Sequence, residues 1–147
     1  MTGVQTCALP IYKDAVIPQY QSKGAAGFDF HALEDIEIGP RQTKLVKTGL
    51  SFEIPEGYEL QVRPRSGMSL KTKIRVANSP GTVDSDYRGE ICIIMENVGL
   101  LGSLPYEIKK GDRVAQGVIC PVYQAVFIED DLSETERGEG AFGSSGK

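Results

Sequence analysis

"LSFEIPEGYELQV" (residues 50–62) carries the pattern that decides the fold. Leu50, Phe52 and Ile54 alternate with Ser51 and Glu53. After Pro55, Glu56 and Gly57 the alternation resumes, with Tyr58, Leu60 and Val62 against Glu59 and Gln61. A side-chain period of two belongs to a strand with one buried face, and a short turn between two such runs predicts a β-hairpin. The same period extends outward. Ile36 and Ile38 alternate with Asp35 and Glu37, and Gly39 and Pro40 end that strand. The run Ile91 to Met95 is continuously apolar, which predicts a strand buried on both faces. Val114 to Cys120 and Ala125 to Ile128 read as late strands, and the one helix candidate is short, around Ser66 to Lys73. Many short strands punctuated by Gly and Pro, in 147 residues, predict one all-β domain. Its form would be a jelly-roll-like barrel or sandwich with one short helix.

Composition narrows the function. The net charge is −4 and no long basic run occurs, which argues against binding nucleic acid or a membrane surface. It leaves room for a local basic pocket that takes a phosphorylated small molecule. Cys7, Cys92 and Cys120 are odd in number and far apart, with no CxxC pair, so neither a zinc knuckle nor a disulfide framework is expected. Free thiols, the lack of a long apolar run and the lack of a lysine-led leader predict a cytoplasmic protein. The single histidine, His31, lies in "GFDFHAL" and reads as a plain strand or surface residue. With no histidine or cysteine cluster, any metal should be a hard cation held by carboxylates or by the substrate.

Five stretches place polar chemistry among turn residues: "AGFD" (26–29), "PRSG" (64–67), "NSPGTVDSDYRGE" (78–90), "GDRVAQG" (111–117) and the tail from Ser133. Each has a purely structural reading beside a chemical one. Arg65 beside a helix start formed by Ser66 and Gly67 suits an anion, or is an ordinary cap. Asp84 and Asp86 fall on one strand face if Val83 points inward, with Tyr87 on the core-facing side unless a turn intervenes. The two acids would orient a water or hold a cation, or simply solvate a hairpin tip. Gln116 is a neutral amide in an apolar strand, so it is either paired in the core or faces a ligand. The tail "SETERGEGAFGSSGK" (133–147) is Gly/Ser-rich and flexible on composition, yet Arg137, Phe142 and two serines could wrap phosphates and stack on a base.

In this order and spacing the five stretches resemble the five motifs of the trimeric dUTP diphosphatase (dUTPase) family: "AGFDF", "PRSGMS", "NSPGTVDSDYRGE", "GDRVAQ" and "RGEGAFGSSG". The resemblance runs from about Tyr12 to Gly146. It implies a homotrimer whose active sites are shared between chains, and Mg²⁺-assisted hydrolysis of dUTP to dUMP and pyrophosphate by water attack at the α-phosphorus. It also implies the roles. Asp84 would position and deprotonate the water, and Asp29 would act on Mg²⁺ through water. Tyr87 would pack on the deoxyribose, and the backbone around Asn78, Gly81 and Val83 would read the uracil edge. Arg65, Ser66, Gly67 and Gln116 would hold phosphate oxygens. Arg137, Gly143, Ser144 and Ser145 would close over the γ-phosphate, with Phe142 stacked on uracil. Asp86 and Glu90 would serve the turn. Such a protein limits uracil in DNA and supplies dUMP for dTMP synthesis.

The reading divides the chain into residues 1–11, an extension without alternation that takes the place of the family's usual first strand; 12–132, the β-domain; and 133–147, a flexible lid. Lys73, Gly117, Ala141 and Ser145 depart from residues common in the family. The fold is shared with dCTP deaminase, which would need a glutamate-based site near "DYRGE" and another Ser-Arg pattern at "PRSG". A silent regulator that binds a partner protein would have no need of the intact set Asp29, Arg65, Asp84 and Arg137.

Overall fold

The computed structural model describes residues 4–141. In chain order its elements are β1 (Cys7–Pro10), β2 (Phe28–His31), β3 (Ile36–Ile38), β4 (Thr43–Lys47), β5 (Leu50–Glu53), β6 (Tyr58–Arg63), α1 (Ser66–Lys71), β7 (Ile74–Val76), β8 (Gly81–Val83), β9 (Cys92–Asn97), β10 (Tyr106–Ile108) and β11 (Arg113–Pro121). They form four antiparallel sheets in the orders β2-β11-β6-β8, β4-β9-β7, β1-β5 and β10-β3. The result is the expected all-β, jelly-roll-like sandwich with one short helix, and no closed barrel forms among the described residues.

The sheets share one core. Phe28, Phe30 and Phe52 meet with ring centroids 5.4–5.9 Å apart, joining β2 to β5. Leu60, Ile74, Ile93, Met95, Ile108 and Val114 fill the space around them. Two buried polar residues tie sheet to sheet. The Asn97 Nδ2 donates to Ile38 O at 2.9 Å while its Oδ1 accepts from the Gly99 amide, linking β9 to β3. The Thr48 hydroxyl donates to Ile91 O at 2.7 Å. Buried polar groups of this kind are tolerated because each has its partner.

Several expectations change. The runs 50–54 and 58–62 do form strands, but β5 and β6 do not pair as a hairpin. Both edges of β6 are already occupied, by β11 and β8, so β5 crosses into another sheet and pairs with β1. The 91–95 run is not buried on both faces. Ile91, Ile93 and Met95 are buried, whereas Cys92 and Ile94 lie half-exposed on the outer face, opposite the 59% exposed Leu45. The sheet β4-β9-β7 has the core on one side only. Ala125–Ile128 forms no strand, because among the described residues no strand pairs with it; the segment runs out with Val126, Phe127 and Ile128 exposed. Within the first eleven residues, read as an extension, Cys7–Pro10 is a strand on β5. The helix stops at Lys71 because Thr72 turns extended and its hydroxyl bonds back to Met68 O.

Candidate active site

The alternation of β2 sends Phe28 and Phe30 inward and leaves Asp29 and His31 on the outer face of the four-stranded sheet. Gln116 on β11 is the cross-strand partner of both Asp29 and Arg63, so these three side chains form a polar row across the sheet. Asp29 is the focus of this corner. It accepts from Arg65 Nε at 2.8 Å and from Arg113 Nη1 at 3.2 Å, with its side chain only 14% exposed. Arg65 also donates to Arg113 O at 3.2 Å. Gln116 donates from Nε2 to Pro64 O at 2.9 Å, and its Oε1 lies against Gly27, where a Cβ would sit 3.0 Å away. It is therefore paired and also held at the site. Ser66 and Gly67 open α1 and are exposed, and the helix start carries no side-chain cap. Two guanidinium groups, those of Arg65 and Arg113, thus gather on one carboxylate, while that of Arg63 turns away to Gln61 Oε1. This arrangement suits a polyanion, since guanidinium forks match phosphate oxygens. His31 sits beside this corner, its basicity lowered first by burial and further by Arg113 and Arg65, against the opposing pull of Asp29.

The second group lies at the other edge of the same sheet. Gly81, buried, and Val83, half-buried, belong to β8, with Asn78 exposed just before it. Asp84 follows at once and is exposed; the Tyr87 amide donates to Asp84 O at 3.2 Å, closing a turn. That turn breaks the strand period. Tyr87 consequently faces outward, 46% exposed, instead of packing on the core side. The turn is anchored from behind. The Ser51 hydroxyl shares its one proton between the carbonyls of Arg88 and Gly89, each 3.0 Å from Oγ, and the Glu90 carboxylate accepts from the Gly49 amide at 2.9 Å. A cleft of about 1180 Å³ opens beside it, walled by Thr82, Asp84 and Asp86, by the Glu53–Glu59 turn, and by Val122 and Gln124.

Arg113, the second arginine on Asp29, is not among the residues that the sequence singles out. The two groups, one cationic and one aromatic and acidic, lie at opposite edges of the sheet. Counted along the sheet, β2 and β8 are three strand spacings apart, about 14 Å. Arg137 lies in the tail, where its Nε donates to Gly140 O at 2.8 Å. Phe142, Gly143, Ser144 and Ser145 lie outside the described residues.

A sequence model of the dUTPase family matches residues 13–146. The chain belongs to the dUTPase family. It is 56% identical to the deoxyuridine 5'-triphosphate nucleotidohydrolase of Nautilia profundicola over 136 residues, 92% of this chain and 94% of that one. It is 54% identical to the one of Wolinella succinogenes over 140 residues, 95% and 92% of the two chains. Among solved structures, a Staphylococcus bacteriophage 80alpha dUTPase variant with dUpNHpp aligns at a TM-score of 0.89 with 29% identity, covering 97% of this chain and 99% of that one. A phage phi11 dUTPase variant described with a structural Mg(II) ion aligns at 0.81 with 25% identity, covering 89% and 99%. In this dUTPase the aromatic and acidic residues of the third motif and the cationic corner of the first, second and fourth are each well formed, at opposite edges of one sheet.

Proposed function

We propose that the protein hydrolyses dUTP to dUMP and pyrophosphate in sites built between three copies of the chain. The observation that carries this is the pair of half-sites, a cationic corner around Asp29 and an anchored Asp84–Glu90 turn, separated across the sheet. Neither half acts alone. A neighbouring copy would supply the missing half, which is what motifs scattered along one chain require.

In this reading the backbone near Asn78, Gly81 and Val83 takes the uracil edge, and Tyr87 lies against the deoxyribose where a 2′-hydroxyl would stand. Asp84 orients the water and accepts its proton as the oxygen attacks the α-phosphorus; a carboxylate does this without adding positive charge. Arg65, Ser66, Gly67 and Gln116 hold phosphate oxygens, and Arg113 joins them beside Asp29. Arg137, Gly143, Ser144 and Ser145 close over the γ-phosphate, with Phe142 on the base.

The residues fit Mg²⁺ of a particular kind. Among the described residues no group of three His, Cys, Asp or Glu side chains could cage a metal. Asp29 keeps lone pairs beyond the two that its arginines use. It would thus hold, through water, a hydrated ion riding on the triphosphate, where the ion neutralises phosphate charge and fixes the phosphates in one geometry.

Support for the trimer comes from the arm that follows β11. Tyr123, Val126, Phe127, Ile128 and Leu132 are all exposed, up to 95%, and an apolar run of that kind needs a partner's surface. No helix of the described residues is long and apolar enough to cross a membrane, and the free thiols suit the cytosol.

The test is incubation with dUTP, UTP, dCTP and dTTP, each with Mg²⁺, while pyrophosphate and ammonia are followed. Pyrophosphate from dUTP alone is expected. Ammonia from dCTP would establish a deaminase instead, and silence with every nucleotide would leave a binding protein.

A further inference from the structure

Tyr87 folds forward over its own turn. Its phenol donates to Glu90 O at 3.1 Å, so the ring crosses residue 89. A Cβ at position 89 would stand 2.5 Å from Tyr87 Cζ and 3.0 Å from Cε2, and would collide with the phenol oxygen as well. The need for glycine here does not come from the backbone, since Gly89 is not among the residues with positive φ. The three atoms nearest to an alanine's Cβ would all belong to the Tyr87 side chain.

The backbone cannot retreat to make room. Ser51, itself buried, grips the carbonyls of Arg88 and Gly89 from behind at 3.0 Å each. Glu90 is pinned through its carboxylate to the Gly49 amide at 2.9 Å. A side chain at position 89 would therefore displace the ring of Tyr87, the exposed partner, and break its phenol's bond to Glu90 O. We propose that Gly89 is a positioning residue for sugar selection: it leaves the space in which the Tyr87 ring lies flat, and so sets where the wall against a 2′-hydroxyl stands. The proposal rests on the reading of Tyr87 as the sugar-facing residue. Selectivity is thereby assigned to the pair and not to the aromatic alone, with Ser51 as the rigid support behind it.

The experiment compares the full-length protein with Gly89→Ala, Tyr87→Ala and the double variant. It measures kcat/KM for dUTP and for UTP, together with the melting temperature. In Gly89→Ala the dUTP-to-UTP ratio should fall on the order of tenfold or more, the scale on which a pocket wall tells a hydroxyl apart. Adding Gly89→Ala to Tyr87→Ala should change the ratio no further. A ratio that survives Gly89→Ala but falls in Tyr87→Ala overturns the positioning role and spares the sugar role. An unchanged ratio in Tyr87→Ala overturns both. Equal falls caused by Gly89→Ala with and without the ring would also overturn it, since the effect would not pass through Tyr87. Should Gly89→Ala melt early or fail to fold, recovery of the melting temperature in the double variant supports the clash with the ring, and no recovery refutes it.

Discussion

At the scale of the residue, Asp84 owes its usefulness to its place just past β8, where the strand ends and the carboxylate leaves the sheet for solvent. Asp84→Asn keeps that shape and removes the proton acceptor. Turnover should fall about 100-fold or more, the low end of what a positioned base contributes, while dUTP binding measured by calorimetry persists. A loss of less than tenfold would remove Asp84 from the role of base. The cysteines offer a check on the sheet's outer face. Burial, then the charge of Glu90, push the Cys92 thiol up from its ordinary value, whereas Cys7 is exposed. Thiolate is the reactive form, so alkylation at neutral pH should label Cys7 well before Cys92, and Cys92 labelling should rise only at higher pH. Peptide mass spectrometry distinguishes the two. Asp84, Asp29, Arg65 and Gln116 were legible in the sequence because each stands among turn residues or interrupts an apolar run. Arg113 was not, because its link to Asp29 depends on the register of β11 on β2, which shifts between Arg113 and Ala115. The outward Tyr87 is the alternative that the sequence left open: a turn closed by one backbone hydrogen bond cancels the strand period.

At the scale of the element, Gly117 shows how two unusual choices explain each other. It stands directly opposite Phe28 in the β11–β2 ladder. A Cβ there would lie 2.6 Å from the Phe28 ring and 2.9 Å from Leu60 Cδ1. The large ring on one strand occupies the space that a side chain on the other would take, which accounts for the glycine. Gly117→Ala should therefore destabilise the protein by about 1–3 kcal/mol through overpacking. The cost should shrink in a Phe28→Leu background; thermal melts of the four variants give the coupling. Alternation located β3, β5 and β6 well, because it records which residues face the core. It was silent on pairing. Residues 50–62 have a hairpin's pattern and a hairpin's turn, yet only the competition of β11 and β8 for the edges of β6 decides that β5 goes elsewhere. Such competition involves residues far apart in sequence, and no local pattern encodes it. Cys7–Pro10 escaped notice for the same reason, as a strand defined only by the edge of β5 that it covers.

At the scale of the whole molecule, the segment after β11 has two parts of different chemistry. Residues 122–132 carry the exposed apolar side chains, and residues from Ser133 onward carry Arg137 and the glycine-rich tail. Truncation after Ser133 should leave assembly and melting temperature nearly intact while lowering turnover at least about tenfold, given what positioning and charge-stabilising contacts contribute to phosphoryl chemistry. Full activity in that truncation would reduce the tail to an appendage. The separation of the half-sites across the four-stranded sheet has a genetic consequence. A protein that draws Asp84 from one chain and Arg65 from another can be broken in two ways that repair each other. With sites shared as proposed, Asp84→Asn and Arg65→Ala, each nearly inactive alone, should regain activity when their subunits are unfolded together and reassembled, because mixed assemblies would contain sites in which both groups are intact. Two defective alleles carried in one cell would then complement within a single gene, and the recovered rate, followed against the mixing ratio, would count how many chains build each site.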